Sequence, residues 1–148
     1  MKIIFFKLLI KLKLDKYINI FFKKNINNTL FTIPIIYQIG FEHNIISETW
    51  MIDILQKINN LKQGVFFDVG VNTGQTLIKL KSVNPTIEYI GFEPNPKCVF
   101  YVDELIKANQ FSNCSLIPVA LMQQNELLKL HFYSETATDA AASLIQKF

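Results

Sequence analysis

The residue types and spacings with the clearest capacity for chemistry are Asp68, Gly70, Asn72, Gly74 and Glu93. The stretch Val65-Phe66-Phe67-Asp68-Val69-Gly70-Val71-Asn72-Thr73-Gly74-Gln75-Thr76 runs from apolar residues through an acid into a glycine-spaced turn and then a helical pattern. This order reads as a buried strand feeding a nucleotide-binding turn. Glycines at 70 and 74 let the backbone turn tightly and approach a ligand, and free amides at the start of the next helix favour an anion such as a carboxylate. Glu93 follows Gly70 by about 20 residues, where an acid ending the second strand can accept from both ribose hydroxyls. Asp68 has two roles open to it: orienting the loop through backbone amides, or meeting the amino end of a ligand. Together these residues point to a nucleoside ligand rather than a plain turn. The Gly-x-x-x-Gly spacing departs from Gly-x-Gly-x-x-Gly, whose glycines admit a pyrophosphate. A nicotinamide-dependent oxidoreductase is therefore kept only as an alternative reading.

The elements that must position these residues follow from periodicity and punctuation. Thr76 to Val83 reads as a helix stopped by Asn84-Pro85, and Ile87 to Phe92 as a strand ending in Glu93-Pro94-Asn95-Pro96. A helix over Lys97 to Asn109 carries Val99, Val102, Leu105 and Ile106 on one face, and a strand follows from Cys114 or Ser115 to Val119. Strand, helix, strand, helix, strand with short connections is the pattern of an α/β domain with a parallel sheet of the doubly wound class. Upstream, Ile46, Trp50, Ile54, Leu55 and Ile58 recur at helical spacing, with Ser47 or Asn44 as cap and an end near Asn59-Asn60. Leu127 to Tyr133 alternates and predicts a further strand. Trp50, Phe66, Phe67 and Phe92 are expected in the core, because they lie in apolar-patterned segments.

Before residue 45, Asn25 to Asn28 marks a break and Gly40 to Asn44 a loop, while Pro34 argues against a central strand or a helix interior over Leu30 to Ile39. Lys7, Lys11 and Lys13 interrupt the opening apolar run before it reaches the length of a signal-peptide core or a membrane span. Residues 1–24 read as an element that packs on the domain or a partner, with peripheral membrane contact as the weaker alternative. The expected organisation is an N-terminal extension over 1–44 and one domain over 45–148. A net charge of +3, with 18% charged residues, is too small and scattered to argue for nucleic acid. Cys98 and Cys114 form no metal or disulfide spacing, so two reduced thiols and a cytoplasmic setting are expected and no metal site is proposed.

Three stretches resemble the FkbM-type S-adenosylmethionine-dependent methyltransferases: Phe67-Asp68-Val69-Gly70-Val71-Asn72-Thr73-Gly74-Gln75, Gly91-Phe92-Glu93-Pro94-Asn95-Pro96 and Val119-Ala120-Leu121. The resemblance covers residues 45 to 146. It implies a Rossmann-like class I methyltransferase sheet with S-adenosylmethionine as cofactor, the glycine loop around its methionine moiety and Glu93 on its ribose. Asn72 matches the asparagine of the family's loop, and Ala120 and Leu121 correspond to the region bordering the adenine. The acceptor implied is a hydroxyl on a sugar, glycolipid or other small molecule. Val71 replaces a usual alanine and Met122 a commonly small polar residue, neither of which removes a needed group.

Members of this family continue into a strand with an Asp-x-Glu-Gly type motif and further units, whereas this sequence ends at Phe148. The expectation is a sheet incomplete at its C-terminal side, with Val65 to Val69 as an unprotected edge open to self-association or a second chain. Weak cofactor binding and little turnover by the isolated chain follow, and a non-catalytic interaction protein is the third reading. Methyl transfer to a hydroxyl proceeds by in-line displacement and calls for a base near the acceptor's proton. His131, Glu135 and Asp139 are the available groups, but a solvated strand end and loop accounts for them better, so no catalytic residue is assigned.

Overall fold

The structure is a computed structural model that describes residues 19–37, 39–45, 48–61, 64–132 and 142. It opens with an antiparallel hairpin of β1 (Asn19–Ile26) and β2 (Thr29–Ile36), with Ile26 opposite Thr29 and Asn19 opposite Ile36. Asn27 and Asn28 form the turn at φ of 49° and 62°, the left-handed pair that a two-residue hairpin turn demands. The break expected at Asn25 to Asn28 is thus a reversal between strands. Pro34 sits opposite Phe21 in a two-stranded sheet, where its missing N–H need not cost a ladder bond.

Two short elements follow. The expected loop over Gly40 to Asn44 contains a single helical turn, α1 (Glu42–Ile45). The helix expected from Ile46 is α2 (Thr49–Leu61); of its two proposed caps, Ser47 lies outside the described residues and Asn44 falls within α1. Its apolar stripe is only partly used. Leu55 is buried against the main core, but Ile54 and Ile58 are exposed and Trp50 is 57% exposed. Trp50 is therefore no core residue: among the described residues α2 packs chiefly on α3, which covers only part of its stripe.

The main unit is β3 (Phe66–Val69), α3 (Gln75–Val83), β4 (Tyr89–Phe92), α4 (Pro96–Asn109) and β5 (Cys114–Ile117). The strands form a parallel sheet in the order β3-β4-β5, with Phe66 opposite Tyr89 and Tyr89 opposite Cys114. Parallel neighbours require crossovers, which α3 and α4 supply, so the expected α/β unit is present. Asn95 caps α4 by accepting from Lys97 N at 3.0 Å, with Pro96 in its first turn. β4 begins at Tyr89 rather than Ile87, and β5 ends at Ile117 ahead of Pro118.

Alternation gives the sheet two different faces. Phe66 and Tyr89 look toward the helices, where Leu77, Ile78, Leu80, Val102 and Leu105 form one core with Ile33 and Ile39 of the N-terminal segment. On the opposite face Phe67 is 61% and Val69 64% exposed, with Phe67 stacked on Phe92 at 6.4 Å. Phe67 is thus not a core residue. The periodicity marks it as apolar, but no described element covers that face. β3 pairs only with β4 among the described residues. The strand expected over Leu127 to Tyr133 is also absent from its described part: residues 127–132 carry an isolated bridge position at His131, and Leu127 is fully exposed. Alternation marks a surface that suits a sheet, but within 127–132 only His131 holds a bridge position.

Polar contacts close the structure at two places. Asn109 behaves like a third strand toward β2: Thr32 N donates to its Oδ1 at 2.7 Å, and its Nδ2 donates to Thr32 O at 2.7 Å. Lys81 is 2% exposed, and its ammonium donates to the carbonyls of Ile87 (2.8 Å), Ser112 (2.9 Å) and Pro85 (3.3 Å). It ties the α3–β4 turn to the approach to β5.

Candidate functional site

The loop after β3 folds back on β4. Gly70 N and Val71 N both donate to Phe92 O, at 2.9 and 3.3 Å, and Gly74 N donates to Val71 O at 2.9 Å. Gly70, Asn72 and Gly74 have φ of 85°, 49° and 76°. Asparagine is the non-glycine residue best suited to that region, and glycine takes it without strain. At Gly74 a β-carbon would also come within 3.1 Å of Leu105 Cδ2. Gly74 is the N-cap of α3 and makes no side-chain capping bond. The first amides of α3 therefore lack the usual side-chain acceptor, an arrangement suited to a ligand anion.

The acids lie close by. Glu93, 7% exposed, accepts from Asn72 N through Oε2 at 2.7 Å and from Asn95 N through Oε1 at 2.8 Å. One carboxylate thus fixes both the glycine loop and the cap of α4, and each oxygen keeps a second lone pair. Asp68 accepts from Tyr89 Oη at 2.7 Å. Burial raises its pKa above the ordinary carboxylate value, the tyrosine hydrogen bond opposes that shift, and the charge of Glu93 adds to it. Tyr89 is pushed up in turn, mainly by burial and then by the charge of Asp68. Cys98 donates to Asn72 Oδ1 at 3.5 Å, and burial first, then Glu93, pushes its thiol up to about 12. A thiol held protonated in this way is no nucleophile.

The structure thus brings Asp68, Gly70, Asn72, Gly74 and Glu93 to one end of the parallel sheet. Ala120 and Leu121 stand apart from them. They line an open cavity of about 690 Å³ together with Pro94, Pro118, Met122 and Leu128. Pro94 directly follows Glu93 and joins the cavity to that acid, but Gly70, Asn72 and Gly74 do not line it. His131 is half-buried, and Glu135 and Asp139 lie outside the described residues.

Several participants escape sequence reasoning. His43 Nε2 lies 2.8 Å from Thr73 O across 30 positions of sequence, and no local pattern links the two. Tyr89 reads simply as an apolar strand residue until its hydroxyl is found on Asp68. Asn95 did leave a signal, since Asn-Pro before an apolar-periodic run is a helix start. Among the described residues no group of three or more histidine, cysteine or acidic side chains could hold a metal ion, and no helix is long and apolar enough to cross a membrane. No protein-family model matches this chain, and no curated protein matches it.

Proposed function

We propose that this chain binds S-adenosylmethionine and is the cofactor-binding part of a class I, Rossmann-like methyltransferase resembling the FkbM type, acting on a hydroxyl of a sugar, glycolipid or other small molecule. The observation that carries the reading is the hydrogen bond from Asn72 N to Glu93 Oε2. It joins a glycine-spaced loop at one strand end to an acid at the next. In open parallel sheets ligands sit at the carboxyl ends of the strands, so the two features address one molecule.

The donor set fits that cofactor. The amides opening α3 suit its carboxylate, Asp68 suits its ammonium, and the remaining lone pairs of Glu93 suit the ribose hydroxyls. Ala120 and Leu121 offer the adenine an apolar border. The bound cofactor supplies a methyl group on a sulfonium, already a good leaving group. The chain's contribution is to orient that group and exclude water. Gly-x-x-x-Gly in place of the dinucleotide spacing weighs against a nicotinamide.

The test is calorimetric titration of the chain with S-adenosylmethionine and with NAD. S-adenosylmethionine is expected to bind and NAD not to displace it. Glu93→Gln keeps one acceptor oxygen, sets its NH2 against either Asn72 N or Asn95 N, and loses the charge-assisted bonds to the ribose, so it should weaken binding at least about tenfold. Unchanged binding in a Gly70→Ala, Glu93→Ala double variant would sink the reading. A second reading, an interaction protein without catalysis, draws on the exposed Phe67 and Val69 of β3. It gains if the chain ignores S-adenosylmethionine yet self-associates.

A further inference from the structure

His43 sits on α1 with 4% of its surface exposed, and its ring stacks on Tyr101 at 5.9 Å and 20°. Nε2 faces the carbonyl of Thr73 at 2.8 Å. A carbonyl only accepts, so Nε2 must carry the proton. Burial pushes the imidazole pKa down to about 4, with Lys24 and Lys79 adding to the shift and the Thr73 bond opposing it, so the ring is neutral over the physiological range. The surroundings hold this ring in place from several sides. Tyr101 Oη donates to Pro34 O at 3.0 Å. A β-carbon at Gly40 would fall 2.2 Å from Pro34 O and 2.6 Å from that hydroxyl, so only glycine allows this approach. Gly40 N donates to Glu42 Oε2 at 3.1 Å, and the Lys24 ammonium donates to His43 O. On the receiving side Thr73 is 2% exposed and lies between Asn72 and Gly74, both at positive φ.

We infer that His43 is a positioning residue for the ligand loop. Its hydrogen bond to Thr73 O holds residues 70–74 in the conformation that presents the opening amides of α3, so the segment after the hairpin braces a site it does not line. The inference rests on the reading of that loop as the S-adenosylmethionine site. Without the bond Thr73 O is a buried acceptor with no donor from His43, and the loop can trade its left-handed turns for looser ones.

The experiment measures amide exchange of the full chain at residues 70–77, with calorimetry of S-adenosylmethionine, for the wild type, His43→Ala and His43→Gln. His43→Ala is expected to raise loop exchange and weaken binding, each about tenfold, while β4 and α4 amides keep their protection. His43→Gln, which still offers an N–H donor, should recover most of both. If His43→Ala does not fold, His43→Phe keeps an aromatic ring against Tyr101 without the donor and takes its place. Loop exchange equal to wild type, or acceleration spread evenly over all amides, overturns the inference. A wild type that does not bind S-adenosylmethionine overturns the proposed function instead, and the exchange pattern still decides whether His43 braces the loop.

Discussion

Two buried basic side chains show how single residues stabilise this chain in opposite ways. Lys81 is buried with its Nζ donating to three carbonyls. Lys81→Met matches its length and removes the donors, leaving Pro85, Ile87 and Ser112 short of a partner. The expected cost is about 3 kcal/mol, read as a lower urea midpoint with an unchanged slope. His43 is buried without its charge. Its pKa is 6.5 when unfolded and about 4 in the native state, so between those values the unfolded chain binds more protons. Stability from this group is complete above pH 6.5 and is lost as pH falls toward 4, by about 1.4 kcal/mol per pH unit at most. Lys24 and Lys79 reinforce the loss by repelling the imidazolium, although Glu48 pairs with Lys79 at 2.5 Å. Urea titrations at pH 7, 6 and 5 should show His43→Gln with a flatter pH dependence than wild type, and parallel curves would refute the assignment.

Among the elements, the β3-α3-β4-α4-β5 run was legible because its signals are local. Glycines, Asn-Pro steps and periodic apolar residues mark each boundary to within about two residues. The ligand loop shares that legibility, since Asp68, Gly70, Asn72 and Gly74 are consecutive in sequence and Glu93 closes the following strand. The hairpin was not legible as strands. A break stood out over Asn25 to Asn28, but Phe-Phe-Lys-Lys and Thr-Ile-Pro-Ile-Ile alternate poorly, and the outer edge of β2 is completed by Asn109, 77 positions from Thr32. Coverage was equally hidden: Trp50 and Phe67 read as core because periodicity reports which residues are apolar and not what lies over them. Asn109→Ala tests the hairpin's dependence on α4. It removes both bonds to Thr32 and leaves its backbone groups unpaired, so a loss of about 2 kcal/mol is expected, with Thr32 the amide whose exchange rises most.

At the scale of the molecule, one sheet face is covered and the other is open among the described residues. Phe67, Val69 and the rim of Phe92 form an apolar surface beside an unpaired β3 edge, a combination that invites strand pairing. Sedimentation velocity should show wild-type association growing with concentration, and Phe67→Lys should weaken it by roughly tenfold or more. Equal sedimentation of the two proteins would argue that this face takes no second copy.

The Asn109 to Thr32 pairing has a consequence in time. β1 and β2 adjoin in sequence and can zip together within microseconds, but the amide that completes their outer edge arrives only after α4 has formed. Contacts that close such a long loop form late, and those absent from the transition state govern escape from the native state more than arrival at it. Asn109→Ala is therefore expected to hasten unfolding while leaving the refolding rate close to that of the wild type. The Asn109 to Thr32 contact then works as a latch between hairpin and helix, and its loss is expected to shorten the lifetime of the native state.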